Sequence, residues 1–238
     1  NEGAMKTIEE LYNNKKNYVF LSNAPRPVND VRKFLIEKMQ INKKFLNNIL
    51  TSGEAAINSI KNFNYGKFFF HLGPERDSKI FKGLENHKTE LKKCDYILCT
   101  GLYDSEMDKL NFYEKLLENS TDKKMICTNP DLVVDRGNIQ EYCAGSIAKL
   151  FERIGGEVVY FGKPYKEIYN SILKEKDKAL IIGDNLRTDI KGANLIKQDS
   201  LFIIDGVHKN EIKGTENLSK ILKKYDVKTN FIQKKLHW

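Results

Sequence analysis

Three polar clusters in the 238-residue chain carry side chains that could do chemistry. Ser22 and Asn23 follow the apolar run Val19-Phe20-Leu21. Gly162, Lys163 and Pro164 follow the run Glu157 to Phe161. GDNLRTD, Gly183 to Asp189, follows Ala179 to Ile182. A serine hydroxyl and neighbouring amides can donate to phosphate oxygens, and Lys163 supplies a compact positive charge. Asp184 closes a strand and Asp189 falls in the first turn of the next helix, so both carboxylates can face one site. Carboxylate, water and phosphate oxygens are the ligands Mg²⁺ prefers. The set therefore predicts a phosphate held beside a hard cation. Each residue also has a plainer use. Ser22 could cap a serine turn, Lys163 could be a surface lysine, and Asp184 and Asp189 could cap a helix and favour its dipole. Recurrence of the clusters, each after an apolar strand, favours the shared site.

Such a site needs parallel strands, because open α/β sheets bind ligands beyond the carboxyl ends of their strands. The hydrophobic pattern supplies them. Strands are predicted over Tyr18–Ser22, Asn48–Thr51, Lys67–Leu72, Tyr96–Thr100, Met125–Thr128, Glu157–Phe161, Lys178–Ile182 and Leu201–Ile204, the last regular strand. Helices are predicted over Ala4–Asn13, Val28–Met39 with Asn29 as N-cap, a stretch running from the turn Ser52-Gly53 to about Lys61, Met107–Leu117, Ile139–Ile154, Lys166–Lys174, Arg187–Ile196 and Leu218–Tyr225. Gly155-Gly156 stops the helix before it. Pro25 and Pro27 end the strand that carries Ser22. Alternation of strand and helix predicts an α/β fold with parallel pairing. The texture shifts near Lys67. The expected organisation is a core of residues 1–56 and 159–238 carrying an inserted α/β domain of residues 57–158.

Composition narrows the function classes. With 40% hydrophobic and 30% charged residues, the chain reads as an ordinary soluble protein. No run reaches the roughly 18 apolar residues a membrane span needs, and NEGAMKTIEEL reads as a helix start rather than a signal peptide. Cys94, Cys99, Cys127 and Cys143 form no CxxC pair, which suggests buried thiols in a reducing cytoplasm. The net charge of +8 comes mostly from scattered lysines. Nucleic-acid sites favour clustered arginine forks and aromatics, so neither nucleic acid nor membrane is expected as a partner. A homodimer is left open.

LSNAPRP, GKPYKEIY and IIGDNLRTDI resemble the second, third and fourth motifs of the haloacid dehalogenase (HAD) superfamily, class IIA, the NagD-like branch. TNPDLVVDRG (Thr128 to Gly137) and Cys143-Ala144-Gly145 resemble that branch's cap region. The resemblance implies a Rossmann-like core with a parallel sheet and an inserted α/β cap of the C2 type. It implies that Ser22, with Asn23 beside it, binds the phosphoryl group and that Lys163 neutralises it and orients the nucleophile. Asp184 would ligate Mg²⁺, and Asp189 would support either the metal shell or Lys163. The cap would select the leaving group, with Asn129 and Asp131 as candidates. The implied reaction is hydrolysis of a small phosphorylated metabolite, a phosphate monoester, through an aspartyl-phosphate.

The family's first motif, Asp-x-Asp at the end of the first core strand, is absent from this sequence. In the family that strand lies between those read here as Tyr18–Ser22 and Lys178–Ile182. Three arrangements are open: the motif lies upstream of Asn1, the gene is a truncated remnant, or the two flanking strands pair directly. The first two are preferred. The 238-residue chain is expected not to turn over phosphate esters, and the alternative is a catalytically dead protein that binds a phosphorylated metabolite or partner.

Overall fold

A computed structural model describes residues 2–136, 139–212 and 214–238. The elements in chain order are α1 (Glu2–Asn13), β1 (Phe20–Ser22), α2 (Val28–Glu37), β2 (Ile49–Thr51), α3 (Ser52–Ile60), β3 (Phe69–Leu72), β4 (Tyr96–Cys99), α4 (Leu110–Leu117), β5 (Lys124–Cys127), β6 (Val133–Arg136), β7 (Ile139–Tyr142), α5 (Ala144–Arg153), β8 (Glu157–Tyr160), α6 (Lys166–Asn170), β9 (Leu180–Gly183), α7 (Lys191–Leu195), β10 (Asp199–Ile203), α8 (Thr215–Lys224) and β11 (Phe231–Gln233). Mixed α/β structure with parallel pairing is what the pattern predicted. None of the helices among the described residues is long and apolar enough to cross a membrane.

The chain forms two compact units: residues 1–20, 39–48 and 163–238, and residues 21–38 and 49–162. The expected boundary at residue 57 differs from this division, because α2 and α3 go with the second unit. A Cβ on Gly53 of α3 would come within 2.9 Å of Ile80 Cδ1, so the start of α3 is packed directly on that unit. Local sequence starts α3 cleanly: Thr51 Oγ1 accepts from the Glu54 N–H at 3.0 Å, the first half of a capping box. Asn29 does not cap α2. Pro27 occupies the N-cap, and Asn29 Oδ1 instead accepts from Arg32 Nη1 at 2.9 Å.

The first unit holds a parallel sheet in the order β11-β10-β9, with Leu201 opposite both Ile182 and Phe231. Its core is Leu186, Ile190, Phe202, Ile212, Leu218, Ile221 and Val227. β11 corrects the expectation that the sheet ends at residue 204; Phe231-Ile232 is a short apolar run whose partner lies thirty residues earlier in the chain. The second unit holds a parallel sheet in the order β3-β4-β5-β8, all of β4 being buried, as a strand covered on both faces requires. The helix expected over Ile139–Ile154 is shorter. β6 and β7 form an antiparallel hairpin before α5, pairing Val133 with Tyr142 and Val134 with Glu141. The β-branched Val133-Val134 and the alternating Ile139-Gln140-Glu141-Tyr142 carry that strand signal. Gly137, the end of the cap-like motif, lies outside the described residues. β1 pairs with β2 and β9 with β10, so direct pairing of β1 with β9 is not found among the described residues.

Candidate functional site

The first unit resumes at Lys163, and within it β9 leads into the loop Asp184-Asn185. Lys163 Nζ donates to Asp189 Oδ1 at 2.7 Å, and both side chains are largely buried. The other Asp189 oxygen accepts from the Asn185 N–H at 3.1 Å. Asn185 Oδ1 accepts from the Arg187 N–H, which starts a π-helical turn over Leu186–Ile190 and places Asp189 opposite Lys163. Asp184 Oδ2 accepts from the Val207 N–H at 3.0 Å. A Cβ on Gly206 would come within 2.1 Å of the same carboxylate, so that position has to be glycine if Asp184 is to sit there. The residues expected at Lys163, Asp184 and Asp189 thus lie in one unit, with Lys163 bonded directly to Asp189.

The Asp184-Asn185-Leu186 loop is held from below by a residue without any motif. His208 is 1% exposed. The Leu186 N–H donates to its Nε2 at 3.2 Å, which leaves Nδ1 to carry the proton and donate to Glu211 Oε1 at 2.7 Å. Lys224 and Tyr225 also bond Glu211, and these donors, Lys224 first, pull its carboxyl down to about 2.

In the second unit, Ser22, Asn23, Asn129 and Asp131 line a common cavity of about 470 Å³. Ser22 Oγ accepts from the Ala24 N–H at 3.2 Å, the serine turn expected of the plainer reading, and its own proton remains available to donate. Asn23 Nδ2 donates to Asp131 Oδ1 at 3.0 Å. Asn129 Oδ1 accepts from the Asp131 N–H at 3.0 Å, so Asn129 shapes the turn that presents Asp131. Gly162 has φ +124°, and a Cβ there would meet Pro130 at 2.6 Å and Asn23 Oδ1 at 2.9 Å; the glycine of GKP is demanded by backbone and by space.

The same cavity contains Arg26, from the LSNAPRP stretch but not among the expected site residues, and three residues outside every motif, Asp77, Thr100 and Arg76. Asp77 is 6% exposed and hydrogen-bonded by Thr100. Burial pushes its carboxyl above the ordinary range, against the pull of Arg76 and Arg26. His71 Nε2 lies 2.9 Å from Thr100 Oγ1, and burial lowers that imidazole to about 4. Thr100 directly follows β4, as Asn23 follows β1. The strand-end rule that singles out Ser22 applies equally to Thr100.

Among the described residues no three acidic, histidine or cysteine side chains cluster so as to hold a metal. Asp184 keeps one carboxylate oxygen without a partner among the described residues, and hard oxygen suits Mg²⁺. Asp189 has both oxygens engaged.

Two family models match the chain, "Haloacid dehalogenase-like hydrolase" over residues 1–86 and "HAD-hydrolase-like" over residues 160–226. A haloacid dehalogenase-like hydrolase from Brucella suis 1330 is 30% identical, with 87% of this chain and 80% of that chain covered and a TM-score of 0.76. The chain therefore belongs to the haloacid dehalogenase-like hydrolases. Its fold is also that of a p-nitrophenyl phosphatase from Archaeoglobus fulgidus, at 18% identity, 99% and 90% coverage and a TM-score of 0.76. A 4-nitrophenylphosphatase from Thermotoga maritima shares it at 22% identity, 98% and 87% coverage and a TM-score of 0.72. None of the curated proteins matches the sequence.

Proposed function

We propose that the chain binds a small phosphate monoester for phosphatase chemistry of the NagD-like kind, with Mg²⁺ as its cation. The observation that carries this is the Lys163–Asp189 pair beside Asp184. A lysine held at 2.7 Å from a largely buried carboxylate is fixed in place, ready to neutralise phosphoryl oxygens. Asp189 orients Lys163, which is the second of the two roles the family resemblance implied for it. Asp184, anchored by the Val207 N–H, is the residue that would hold the cation. Bound Mg²⁺ would offset charge on the phosphate and its leaving oxygen. Ser22 and Asn23 contribute a hydroxyl and an amide of the kind that hold phosphate oxygens, and Asn129 and Asp131 belong with selection of the leaving group.

No Asp-x-Asp pair occurs in the 238 residues. The chain as it stands is therefore expected to bind phosphate and its esters without turning them over. Titration with inorganic phosphate in the presence of Mg²⁺ tests the binding half. Lys163→Met should weaken it tenfold or more, since a charge-assisted hydrogen bond contributes about 1.5–3 kcal/mol; unchanged affinity would overturn the assignment. Hydrolysis of p-nitrophenyl phosphate by the 238-residue chain, abolished by Ser22→Ala or Asp184→Asn, would overturn the expectation of no turnover.

A further inference from the structure

We propose that the cavity at the carboxyl ends of β3, β4 and β5 seats the alcohol part of the ester, and that it takes a neutral polyhydroxyl group held by Asp77. The proposal rests on the reading of the chain as a binder of phosphate monoesters and names the class of alcohol. Pro74, Thr100-Gly101 and Asn129, which line the cavity, follow β3, β4 and β5, the edge where parallel sheets bind ligands.

Asp77 lines this cavity although it is only 6% exposed. Burying a carboxylate is costly unless its oxygens are well partnered. Behind Asp77 the partners form a row. Thr100 has a single hydroxyl proton; given to Asp77, it leaves Thr100 to accept from His71 Nε2–H at 2.9 Å. The row supports Asp77 from the sheet side and leaves carboxylate lone pairs for the cavity. A charged group kept in a cavity wall at such cost marks a ligand contact.

The surrounding charges select the ligand. Arg26 and Arg76 act on Asp77, and Arg76 is ion-paired with Asp104. These four charges cancel. Asp30, Asp131 and Glu141 line other parts of the wall and oppose an anionic group. The two guanidiniums near Asp77 oppose an ammonium there. An uncharged group that donates to Asp77 and accepts from Arg26 satisfies both, and adjacent hydroxyls do this. About 470 Å³ is within the size range of small-molecule sites, roughly 300–1,000 Å³.

The test uses the full chain and three phosphate-free probes, ribitol, 1-pentanol and ethanolamine, with binding followed by saturation-transfer NMR titration. Ribitol should bind more tightly than either of the others. Asp77→Asn keeps the shape and loses the charge. It should weaken ribitol tenfold or more while leaving the melting temperature equal or higher, because a buried charge is removed. Arg26→Gln, at an exposed side chain, should weaken ribitol at least threefold in a protein of unchanged melting temperature. Pentanol or ethanolamine binding as well as ribitol, or ribitol binding unchanged in either folded variant, overturns the proposal. So does a lower melting temperature in Asp77→Asn with ribitol binding intact, which would make Asp77 structural. No probe carries phosphate and no turnover is read, so failure here is distinct from failure of the phosphate titration.

Discussion

At Asp189 one oxygen belongs to Lys163 and the other to the Asn185 amide, so a residue that sequence spacing offers as a metal ligand is occupied as a lysine partner. Fixing Lys163 this way removes most of the rotamer entropy that a flexible lysine would otherwise lose on binding phosphate. His71 illustrates the opposite electrostatic situation. Among the described residues it is buried beside the Thr100 hydroxyl with no carboxylate at bonding distance, and its imidazole is held down to about 4 from an ordinary 6.5, first by burial and then by Lys88. The folded state therefore refuses a proton that the unfolded chain accepts below pH 6.5. Stability from His71 is complete above that pH and is lost as pH falls toward about 4, to a total of about 3 kcal/mol. Urea unfolding at pH 7 and pH 5 should show this loss begin. His71→Gln, which keeps an amide for Thr100 and cannot titrate, should flatten the difference; an unchanged slope in that variant would assign the pH dependence elsewhere.

One level up, the loop Asp205–Lys209 behaves as a clasp on the turn that follows β9. Its Val207 amide fixes Asp184, and its His208 ring receives the Leu186 N–H. His208→Ala would leave that amide unpaired in the interior and open a cavity beside Tyr225, whose ring centroid is 4.8 Å away. The expected cost is about 2–4 kcal/mol in a urea titration. A loss under 0.5 kcal/mol would show that the clasp is not holding the turn. Nothing in the sequence marks His208, because its neighbours Leu186 and Tyr225 come from distant parts of the chain. The motif loops, in contrast, were legible. Strand ends at Ser22 and Gly183 follow from apolar runs stopped by polar residues, and the GKP and GDNLRTD patterns carried both the family and the Lys163–Asp184–Asp189 grouping. Elements that depend on a partner were harder to read. β11 is three residues long and is a strand because β10 lies beside it. The hairpin of β6 and β7 sits where Ile139, Tyr142 and Cys143 mimic a helical face, so the period alone extended α5 backward. Asp77 lies in a run of 3-10 turns, and only the folded sheet shows that it is buried.

For the whole molecule the open question is what its +8 charge does. Many lysines are already used in short-range pairs: Lys33 with Glu37, Lys93 with Glu90, Lys149 with Glu152, Lys191 with Asp226 and Lys224 with Glu211. Others cover aromatic rings, as Lys44 does over Tyr12 and Phe45. A charge divided in this way gives a diffuse positive field rather than an aligned row of phosphate contacts. Diffuse charge attracts any polyanion at low salt, releases few counterions on contact, and so gives a shallow salt dependence. Binding to a 20-base-pair duplex should therefore change with salt with a log–log slope of magnitude below about 3, reflecting three or fewer neutralised phosphates. It should vanish by about 200 mM salt, where a site with 6–10 contacts would already have lost most of its affinity from a much tighter starting point. Fluorescence anisotropy across 25–200 mM salt reads both quantities. A slope steeper than about 6 would mean that the lysines act together as a nucleic-acid surface, and the charge would then belong to function rather than to composition.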